Sequence, residues 1–479
     1  MRGRRDHVVF FLLFALISGA LLISSLQGSM ISVALPDMID DLHAPLRWVG
    51  WVMTIYSLAQ AVSMPIVGKL SDELGRRTVF VGGVVLFGVS SLAAAVAPNV
   101  YVLIAMRGIQ GLAGGSLLPS AYGVVGDVFK EDRARASGMI SSVFPIGSII
   151  GPLAGGVIVD HFGWRWTFLI AVPPALAIVL LAFRWMPAAA TREAKALDMP
   201  GVLSLSVGVL AFVYALTELS QRAVQPNTLV VGLFLLVGCV SAVVFVRREA
   251  TAADPLVEMR LLKQKEFAYV NALNFLYGAG IFGLFTFIPL YAQSAYNLSS
   301  SAAGALVTPR AVVMIFASSA AAYLLPRTGY RKPIIVGLVM MSASTLLLSF
   351  GFHDPTLFGL RIPSAVYLAT IVAFGGLAFG IAGPAANNAA IELAPDRIAA
   401  ITGLRGMFRS LGGTLGTAVI ILVASRAESE GAGLEQAFVG IAIVNLVAVL
   451  FVFGTPDRVG DRSQTAAGAV PLRQPGPAR

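Results

Sequence analysis

Residues 68–77 read Gly-Lys-Leu-Ser-Asp-Glu-Leu-Gly-Arg-Arg, a charged stretch between two long apolar runs. The runs cover residues 49–68 and 78–97, and each matches the ~20 residues that an α-helix needs to cross a bilayer. Gly68 and Gly75 permit a tight turn at the membrane surface, because glycine has no Cβ to restrict the backbone. The stretch therefore predicts a short loop between two transmembrane helices.

The composition extends this prediction to the whole chain. Of its 479 residues, 57% are hydrophobic and only 12% are charged, whereas a soluble domain carries roughly 25% charged residues. Most side chains are therefore expected to face something other than water. The net charge of +9 does not indicate a nucleic-acid partner, because the basic residues stand in short clusters between apolar runs.

Fourteen apolar runs are long enough to cross a bilayer, which predicts an all-α membrane protein with fourteen transmembrane helices. The runs cover residues 9–36, 49–68, 78–97, 101–126, 137–159, 167–185, 200–219, 229–246, 268–292, 303–325, 334–351, 365–390, 400–424 and 434–453. With the N-terminus inside, the inside segments hold 25 of the 34 basic residues and the outside segments hold 5. This excess predicts that both termini lie in the cytoplasm.

The spans group as six, two and six. Residues 1–187 form the predicted N-terminal six-helix bundle, and residues 188–266 hold two linker transmembrane helices with cytoplasmic loops. Residues 267–454 form the predicted C-terminal six-helix bundle. Residues 455–479 are rich in Gly, Pro, Ala, Gln and Arg and cannot bury a core, so we expect a disordered cytoplasmic tail.

A weak internal repeat relates the two six-helix blocks. The sequence Gly-Arg-Arg begins at Gly75 after the second span, and Gly-Tyr-Arg begins at Gly329 after the tenth. Each is followed eight residues on by another glycine, Gly83 or Gly337. Two repeated halves with a site at their interface are typical of transporters.

The stretch at 68–77 resembles the signature of the loop between the second and third spans in the major facilitator superfamily. The resemblance implies two six-helix bundles, here with two extra helices. It also implies that a switch formed by Gly68, Asp72, Gly75, Arg76 and Arg77 latches the halves in the outward-open state. Asp72 and Arg76 are spaced to pair across the loop, and a generic basic loop is the alternative interpretation.

The fourth span contains Arg107 in the sequence Arg-Gly-Ile-Gln-Gly at 107–111, which is similar to a second signature of the superfamily. An arginine inside the membrane is costly and is therefore a functional candidate. The resemblance implies that Arg107 takes part in proton transfer. A structural arginine that binds backbone carbonyls is the alternative.

The first span departs from the fourteen-helix drug:proton antiporters, which this chain otherwise resembles at residues 32–36, 163–168 and 403–417. Their first span carries an aspartate where this chain has Gln27, and glutamine cannot titrate. We expect Gln27 to hydrogen-bond Arg107 in the pore. Glu218, near the outer end of span 7, is a further candidate for proton coupling, with a solvated helix end as its alternative.

The fifth span has small residues at helical spacing. Gly147, Gly151 and Gly155 form one smooth helix face, beside Pro152 and Gly156. The sequence Gly-Pro-x-x-Gly-Gly resembles the signature of antiporters within the superfamily. Ordinary packing of small residues is the alternative.

Several polar residues stand inside apolar spans, where an unmatched polar group costs several kcal/mol. They either line a substrate cavity or tie helices together. These residues are Gln60, Asn274, Tyr277, Arg310, Asn387 and Asn388. Aromatic residues of span 9, such as Phe275, Phe282, Phe285 and Phe287, suit either a lipophilic ligand or contact with lipid.

These features predict a transporter that exports hydrophobic or amphiphilic drugs across a bacterial inner membrane in exchange for protons. We expect a monomer with no cofactor, no metal site and no enzymatic activity, because the sequence has no phosphate-binding loop and no histidines at metal spacing. One alternative is a dedicated exporter of an endogenous lipid, siderophore or biosynthetic metabolite. Another is a transporter-like sensor that binds its ligand without moving it.

Overall fold

The computed structural model of the protein describes residues 2–128, 133–186, 198–221, 226–252, 264–357, 360–393 and 398–457. Within these ranges the chain is almost entirely helical. The helices are α1 (Arg2–Asp41), α2 (Leu46–Val49), α3 (Trp51–Leu74), α4 (Arg76–Ala95), α5 (Val100–Val128), α6 (Arg133–Phe162), α7 (Arg165–Leu169), α8 (Val172–Trp185), α9 (Met199–Leu219), α10 (Thr228–Thr251), α11 (Lys265–Tyr296), α12 (Ser300–Ala305), α13 (Thr308–Thr328), α14 (Arg331–Ser349), α15 (Ser364–Glu392), α16 (Ile398–Arg426) and α17 (Glu430–Val452). One short hairpin of antiparallel strands, β1 (Thr356–Leu357) and β2 (Leu360–Arg361), precedes α15.

Twelve helical segments within the described ranges are long and apolar enough to cross a membrane. They coincide with every predicted span except the second and the fifth. Helices α3 and α6 stand at those two positions, and the apolar segment found in α6 is Ile150–Phe162. The helical membrane fold is therefore confirmed, whereas the count of fourteen spans stays a prediction.

The packing of the helices follows their order in the chain. Helix α1 packs against α6 and α8, while α3 and α4 both pack against α5. After the linker, α11 packs against α16 and α17, while α13 and α14 both pack against α15. The predicted domain boundaries near 187 and 266 fall at or beside residues outside the described ranges, so they stay a prediction.

Helices α9 and α10 pack against each other between these two sets. Helix α9 also contacts α3 and α16, one helix from each set. Helix α10 exposes apolar side chains along its length, including Leu229, Leu236 and Val240. An exposed apolar surface of this kind suits contact with lipid.

The two repeated glycine pairs occupy equivalent places in the structure. Gly75 separates α3 from α4 with a φ of 86°, and Gly329 separates α13 from α14 with a φ of 70°. Both values lie in the region that residues with a Cβ rarely adopt. A Cβ on Gly83 would collide with α5, and a Cβ on Gly337 would press on α15. The internal repeat is thus present in the three-dimensional structure.

The first residues of the predicted tail are packed against the turn before α14. The Tyr330 backbone N–H donates to the carbonyl oxygen of Asp457 at 3.0 Å, and Arg331 Nε donates to that of Thr455 at 2.9 Å. The prediction of disorder was therefore wrong for residues 455–457, because the first N–H groups of a helix need partners from outside it. Residues 458–479 lie outside the described ranges.

Candidate functional site

Arg107 lies in α5, and only 1% of its surface is exposed. Its Nε donates to the carbonyl oxygen of Val52 at 2.9 Å, and its Nη1 donates to Oε1 of Gln110 at 2.6 Å. Its guanidinium carbon lies 4.0 Å from the centre of the Tyr56 ring, and Gln110 in turn donates to the Ser91 hydroxyl. These contacts, from α3, α4 and α5, match the structural alternative for Arg107, while its role in proton transfer stays a prediction.

Gln27 does not hydrogen-bond Arg107, so that expectation was wrong. The Gln27 amide donates instead to the carbonyl oxygens of Thr167 at 2.5 Å and Phe168 at 3.3 Å. Both carbonyls belong to the last turn of α7, where a helix leaves its acceptors without intrahelical partners. The Gln27 Oε1 atom is buried without a hydrogen-bond partner among the described residues.

Glu218 lies at the end of α9, in the turn that leads to α10. Its Oε1 accepts a hydrogen bond of 3.4 Å from the backbone N–H of Asn227. The contacts found for Arg107 and Gln27 do not include this carboxylate. The three predicted proton-coupling residues therefore do not form one cluster in this conformation.

The glycines of α6 lie where this helix meets α1. A Cβ on Gly147, Gly151 or Gly155 would press against residues 25–30 of α1. At Gly147, for example, it would lie 2.6 Å from the Cβ of Ser25. The predicted smooth face is thus a close helix–helix contact, which small residues permit.

Gly156 and Pro152 lie where α6 meets α12 of the C-terminal set. A Cβ on Gly156 would lie 2.8 Å from the Cα of Ser301. A Cβ on Gly304 would lie 2.9 Å from the carbonyl carbon of Pro152. The glycine-rich signature therefore joins α6 both to its own bundle and to the other one, and its meaning for antiport stays a prediction.

Asp160 bridges the same two helices at the predicted outer end. Its carboxylate accepts the backbone N–H of Ser300 at 3.0 Å and that of Ser301 at 2.8 Å, together with the Ser301 hydroxyl. Burial raises the pKa of Asp160, but the hydrogen bonds from Ser301 and Ser300 outweigh it and hold this pKa below the ordinary 3.8. Sequence reasoning did not single out Asp160, because it follows a predicted span like many other solvated acids.

Two further contacts join the bundles at the predicted outer end. Gln293 of α11 donates through Nε2 to the carbonyl oxygen of Val33 in α1 at 3.1 Å. Gly50 faces Ile421 of α16, and a Cβ there would lie 2.9 Å from the Ile421 Cγ1 atom. The outer ends of the N-terminal and C-terminal helices are thus in direct contact.

The predicted switch at 68–77 spans the junction of α3 and α4. Arg77 Nη2 donates to the carbonyl oxygen of Phe183 in α8 at 2.6 Å, which fastens the start of α4 to the end of α8. Arg76 is half-buried. The surroundings of Gly68 and the side chain of Asp72 lie outside the described part of the chain, so the pairing of Asp72 with Arg76 stays a prediction.

The six polar cavity candidates differ in their hydrogen-bond partners. Asn274 and Asn388 donate to carbonyl oxygens four residues earlier in their own helices, at 2.7 Å and 3.0 Å, and do not tie helices together through these bonds. Gln60 is half-buried beside Gly114 of α5. Tyr277, Arg310 and Asn387 each have a buried polar atom with no hydrogen-bond partner among the described residues.

Two aromatic contacts surround these unpartnered groups. The guanidinium carbon of Arg310 lies 3.4 Å from the centre of the Phe285 ring. The rings of Tyr277 and Phe379 are stacked with their centres 5.5 Å apart. Helices α11, α13 and α15 therefore bring aromatic rings and one arginine to the same region. Of the other span 9 aromatics, Phe287 is fully buried between helices and does not face lipid.

Arg405 and Arg409 complete this region from α16. They are four residues apart, so they share one face of the helix. Both are half-buried, and both interact electrostatically with the Tyr277 hydroxyl. The sequence analysis did not place them in the cavity, although an arginine inside an apolar span is a sufficient signal.

A model of the Major Facilitator Superfamily matches residues 17–417 and, in a second match, residues 270–475. The second match begins close to the predicted start of the C-terminal bundle. Together the two matches cover most of the chain.

Curated relatives include proteins named as drug transporters. The chain is 32% identical to the multidrug transporter protein MdtP of Bacillus subtilis over 403 residues, which are 84% of this chain and 73% of that protein. It is 30% identical to multidrug resistance protein 3 of the same organism, over 85% of this chain and 78% of that protein. A multidrug resistance protein B homolog of Mycobacterium tuberculosis is 28% identical over 82% of this chain and 72% of its own length.

Solved structures of transporters share the fold. The nucleoside transporter NupG superposes with a TM-score of 0.66 at 16% identity, over 92% of this chain and 99% of that one. A bacterial homolog of the human lysosomal transporter Spinster superposes with a TM-score of 0.64 at 15% identity, over 93% of this chain and 96% of that one. At these identities the likeness concerns the fold alone.

Proposed function

This chain belongs to the major facilitator superfamily, and we propose that it exports hydrophobic or amphiphilic drugs across the cytoplasmic membrane in exchange for protons. Membership makes it a multi-pass membrane transporter of small substrates. Drug export and proton exchange are the parts that we propose. We also propose that the chain belongs to the fourteen-helix drug:proton antiporters within the superfamily.

The observation that carries this proposal is the pair of contacts made by the glycines of α6. Gly147, Gly151 and Gly155 bring α6 close to α1, and Gly156 brings it close to Ser301 of α12. The contact at Gly156 is the one of these that joins the two bundles, and we propose that it keeps protons and ions from passing between them. An exchanger needs a tight seam, because a proton leak would dissipate the gradient that drives it. The drug-transporter names of the relatives support the same proposal.

We propose that transport follows alternating access between the two bundles. In the present conformation the outer ends are joined through Asp160 and Gln293, so substrate would enter from the cytoplasmic side. The switch at Gly68, Asp72, Gly75, Arg76 and Arg77 would then close the cytoplasmic side when the outer ends separate. This assignment rests on the predicted orientation, with both termini in the cytoplasm.

Proton coupling is proposed to involve Arg107, with Gln27 and Glu218 as further candidates. Arg107 is the one arginine of the first six predicted spans that lies away from their ends. A guanidinium group keeps its proton at all physiological pH values, so Arg107 would act by its charge on a nearby carrier. The side chains of Asp127 and Glu392, two acids near span ends, lie outside the described part of the chain.

The proposal includes an architecture of fourteen spans in a monomer. The two spans beyond the twelve candidate helices would be α3 and α6, which have the positions and lengths required. The bundles would end near residues 187 and 454, with α9 and α10 as the linker pair.

Uptake into inside-out membrane vesicles tests this function. The vesicles are energised by respiration and supplied with a panel of lipophilic dyes, with and without a protonophore. We expect dye uptake that the protonophore abolishes and that is absent with the Arg107→Ala variant. Uptake should persist with the control variant Arg327→Gln, because Arg327 is exposed at the end of α13. Protonophore-insensitive uptake, or none with folded protein in the membrane, would contradict the proposal.

A dedicated exporter of one endogenous product is the second candidate. The observation that favours it is Gln27, because a neutral residue replaces the acid that suits cationic drugs. A panel in which one metabolite class is transported and unrelated dyes are not would select this function over drug export.

A further inference from the structure

Three arginines lie inside the membrane-spanning part of the C-terminal helices. They are Arg310 of α13 together with Arg405 and Arg409 of α16. A charged side chain at the centre of a bilayer is costly to insert, so it normally faces a partner or a polar cavity. The three side chains are half-buried, which places them within the protein and not on its lipid-facing surface.

No carboxylate neutralises Arg310 or Arg405 among the described residues. The ion pairs of Arg165, Arg248 and Arg361 with aspartates lie elsewhere in the chain. The Nε atoms of Arg310 and Arg405 are buried and have no hydrogen-bond partner in the described part of the chain. Arg405 and Arg409 repel each other electrostatically. Arg310 and Arg405 therefore carry positive charge that no carboxylate among the described residues compensates, which costs free energy unless a negative group binds.

The surroundings of these arginines suit an aromatic or apolar body next to the negative group. Phe285 lies under the Arg310 guanidinium, and Tyr277 lies eight residues earlier in α11, about 12 Å away along the helix. Phe379 of α15 stacks on Tyr277. The Tyr277 hydroxyl has no hydrogen-bond partner among the described residues and can donate to an anion.

Glycines of α15 make room for this arrangement. A Cβ on Gly376 would lie 2.8 Å from the Arg310 Cγ atom, and a Cβ on Gly375 would lie 3.6 Å from the edge of the Phe285 ring. Close approach of α13 to α15 thus depends on Gly376, whereas the distance at Gly375 is ordinary van der Waals contact. The Arg310 side chain is packed against the backbone of a neighbouring helix.

The facing bundle offers no opposite charge in the described residues of its first span. Its position 27 is a glutamine whose amide is already bound to the carbonyls of Thr167 and Phe168. The first span therefore adds no negative charge to offset Arg310 and Arg405, and positive charge of this kind raises the local concentration of anionic ligands.

We propose that the C-terminal bundle binds the anionic group of an amphiphilic substrate beside Arg405 and the Tyr277 hydroxyl, and that Arg310, about 12 Å further along α11, adds attraction through its positive charge. The substrates are lipophilic organic anions, such as sulfonates, phosphates or carboxylates, and not the lipophilic cations that the usual first-span aspartate would favour. The aromatic side chains Phe285 and Phe379 contact the apolar body of the substrate. This inference deepens the proposed export function and rests on it for transport, but not for binding.

Two probes that differ only in charge test the inference. One is a pyrene with a butylsulfonate chain, and the other is a pyrene with a butyl-trimethylammonium chain of the same length. Binding is measured by pyrene fluorescence on the purified full-length protein, and transport is measured in inside-out vesicles. We expect the sulfonate to bind about tenfold or more tightly than the ammonium compound, as for a charge-assisted hydrogen bond.

Variants assign this preference to named side chains. Arg405→Gln should weaken sulfonate binding about tenfold and Arg310→Gln should weaken it by a smaller factor, whereas Arg327→Gln on α13 should leave it unchanged. Arg310→Lys and Arg405→Lys keep the charge and should retain most of the affinity, which separates a ligand role from a folding defect. Melting temperatures of all variants show which of them remain folded.

The outcomes separate this inference from the proposed function. Sulfonate binding that depends on Arg310 and Arg405 but is not followed by transport supports the inference and contradicts export. Proton-driven transport of the ammonium probe alone supports export and overturns the inference. Equal binding of both probes, or binding that is insensitive to both arginines, also overturns it.

Discussion

The carboxylate of Asp160, at the end of α6, accepts the backbone N–H of Ser301, at the start of α12, at 2.8 Å. Helix α6 belongs to the N-terminal set of helices and α12 to the C-terminal set, so this hydrogen bond joins the two bundles. It lies next to Gly156, whose missing Cβ lets the backbone of Ser301 approach. A conformational change that opens the predicted outer end has to break this contact.

We expect Asp160→Asn to populate the conformation that is open at the outer end. The reason is that a neutral amide accepts hydrogen bonds more weakly than a carboxylate does. The measurement is labelling of Ala34→Cys, a position that is fully buried in the present conformation, by a membrane-impermeant maleimide in a Cys239→Ser background. Labelling should rise several-fold with Asp160→Asn and less with Ser301→Ala, which keeps the backbone donor. Equal labelling in all variants would refute a latch role for Asp160.

The same label tests the pH dependence of this contact. A carboxyl group with a lowered pKa stabilises the folded contact above its ordinary pKa, and that stability is lost as the pH falls through the lowered value. The pKa of Asp160 lies below 3.8, although the nearby carboxylate of Asp37 interacts with it electrostatically. Labelling of the Ala34→Cys variant should therefore be constant between about pH 5 and 8. A rise in labelling on acidification within that window would show that Asp160 is protonated there.

The close packing of the α6 glycines predicts that replacing one of them by alanine destabilises the protein, whereas the same replacement at an uncrowded glycine does not. Gly151→Ala should lower the melting temperature of the purified protein and reduce transport, because its Cβ would collide with Ser29 and overpacking costs about 1–3 kcal/mol. Gly82→Ala in α4 is the matched control, since a Cβ there meets nothing within 4 Å. It should leave the melting temperature unchanged or raise it slightly, because alanine favours the helix. Similar melting temperatures for the two variants would show that α6 is not closely packed at Gly151.

Arg107 is expected to support stability as well as function. Arg107→Gln removes the donors to the Val52 carbonyl and to Gln110, and leaving such buried acceptors unsatisfied costs about 1–3 kcal/mol each. We therefore expect a lower melting temperature along with the loss of transport. Lost transport at an unchanged melting temperature would favour a purely functional role in proton transfer.

Gln27→Glu should make transport depend on pH in a new way. A protonated carboxyl can still donate to one of the two carbonyls, of Thr167 or Phe168, that the amide binds, whereas an ionised carboxylate cannot donate at all. The variant should therefore be more stable and more active as the pH falls, relative to the unmodified protein at each pH. Parallel pH profiles of the two proteins would mean that position 27 lies outside the coupling machinery.

Much of the fold is readable from the sequence, because apolar runs of bilayer length can only be helices. The repeat of Gly75 and Gly329 was also readable, since the turn that each forms needs a positive φ. The packing of the first tail residues could not be predicted from the sequence. Residues 455–457 are packed because the start of α14 needs hydrogen-bond partners, and that need is invisible in the composition of the tail.

The candidate site was less readable, because hydrogen-bond partners are set by three-dimensional packing. Gln27 and Arg107 were both polar side chains that needed hydrogen-bond partners inside the membrane. Each donates to backbone carbonyls, and the sequence does not indicate which carbonyls lie within reach. Asp160 gained its role from a helix start 140 residues away, Ser300. Arg405 and Arg409 carried a visible signal, since both are charged residues within an apolar run, but their meeting with Tyr277 depends on how α16 packs on α11.

The exchange of substrate for protons is the central claim, and reconstitution measures it most directly. Purified protein is placed in liposomes that contain a pH-sensitive dye, and a pH gradient is imposed with no other energy source. We predict that the gradient drives accumulation of a lipophilic probe on the acidic side and that the probe in turn drives proton movement in the opposite direction. Probe movement without any coupled proton flux, at an orientation and density of protein known to be sufficient, would contradict the account.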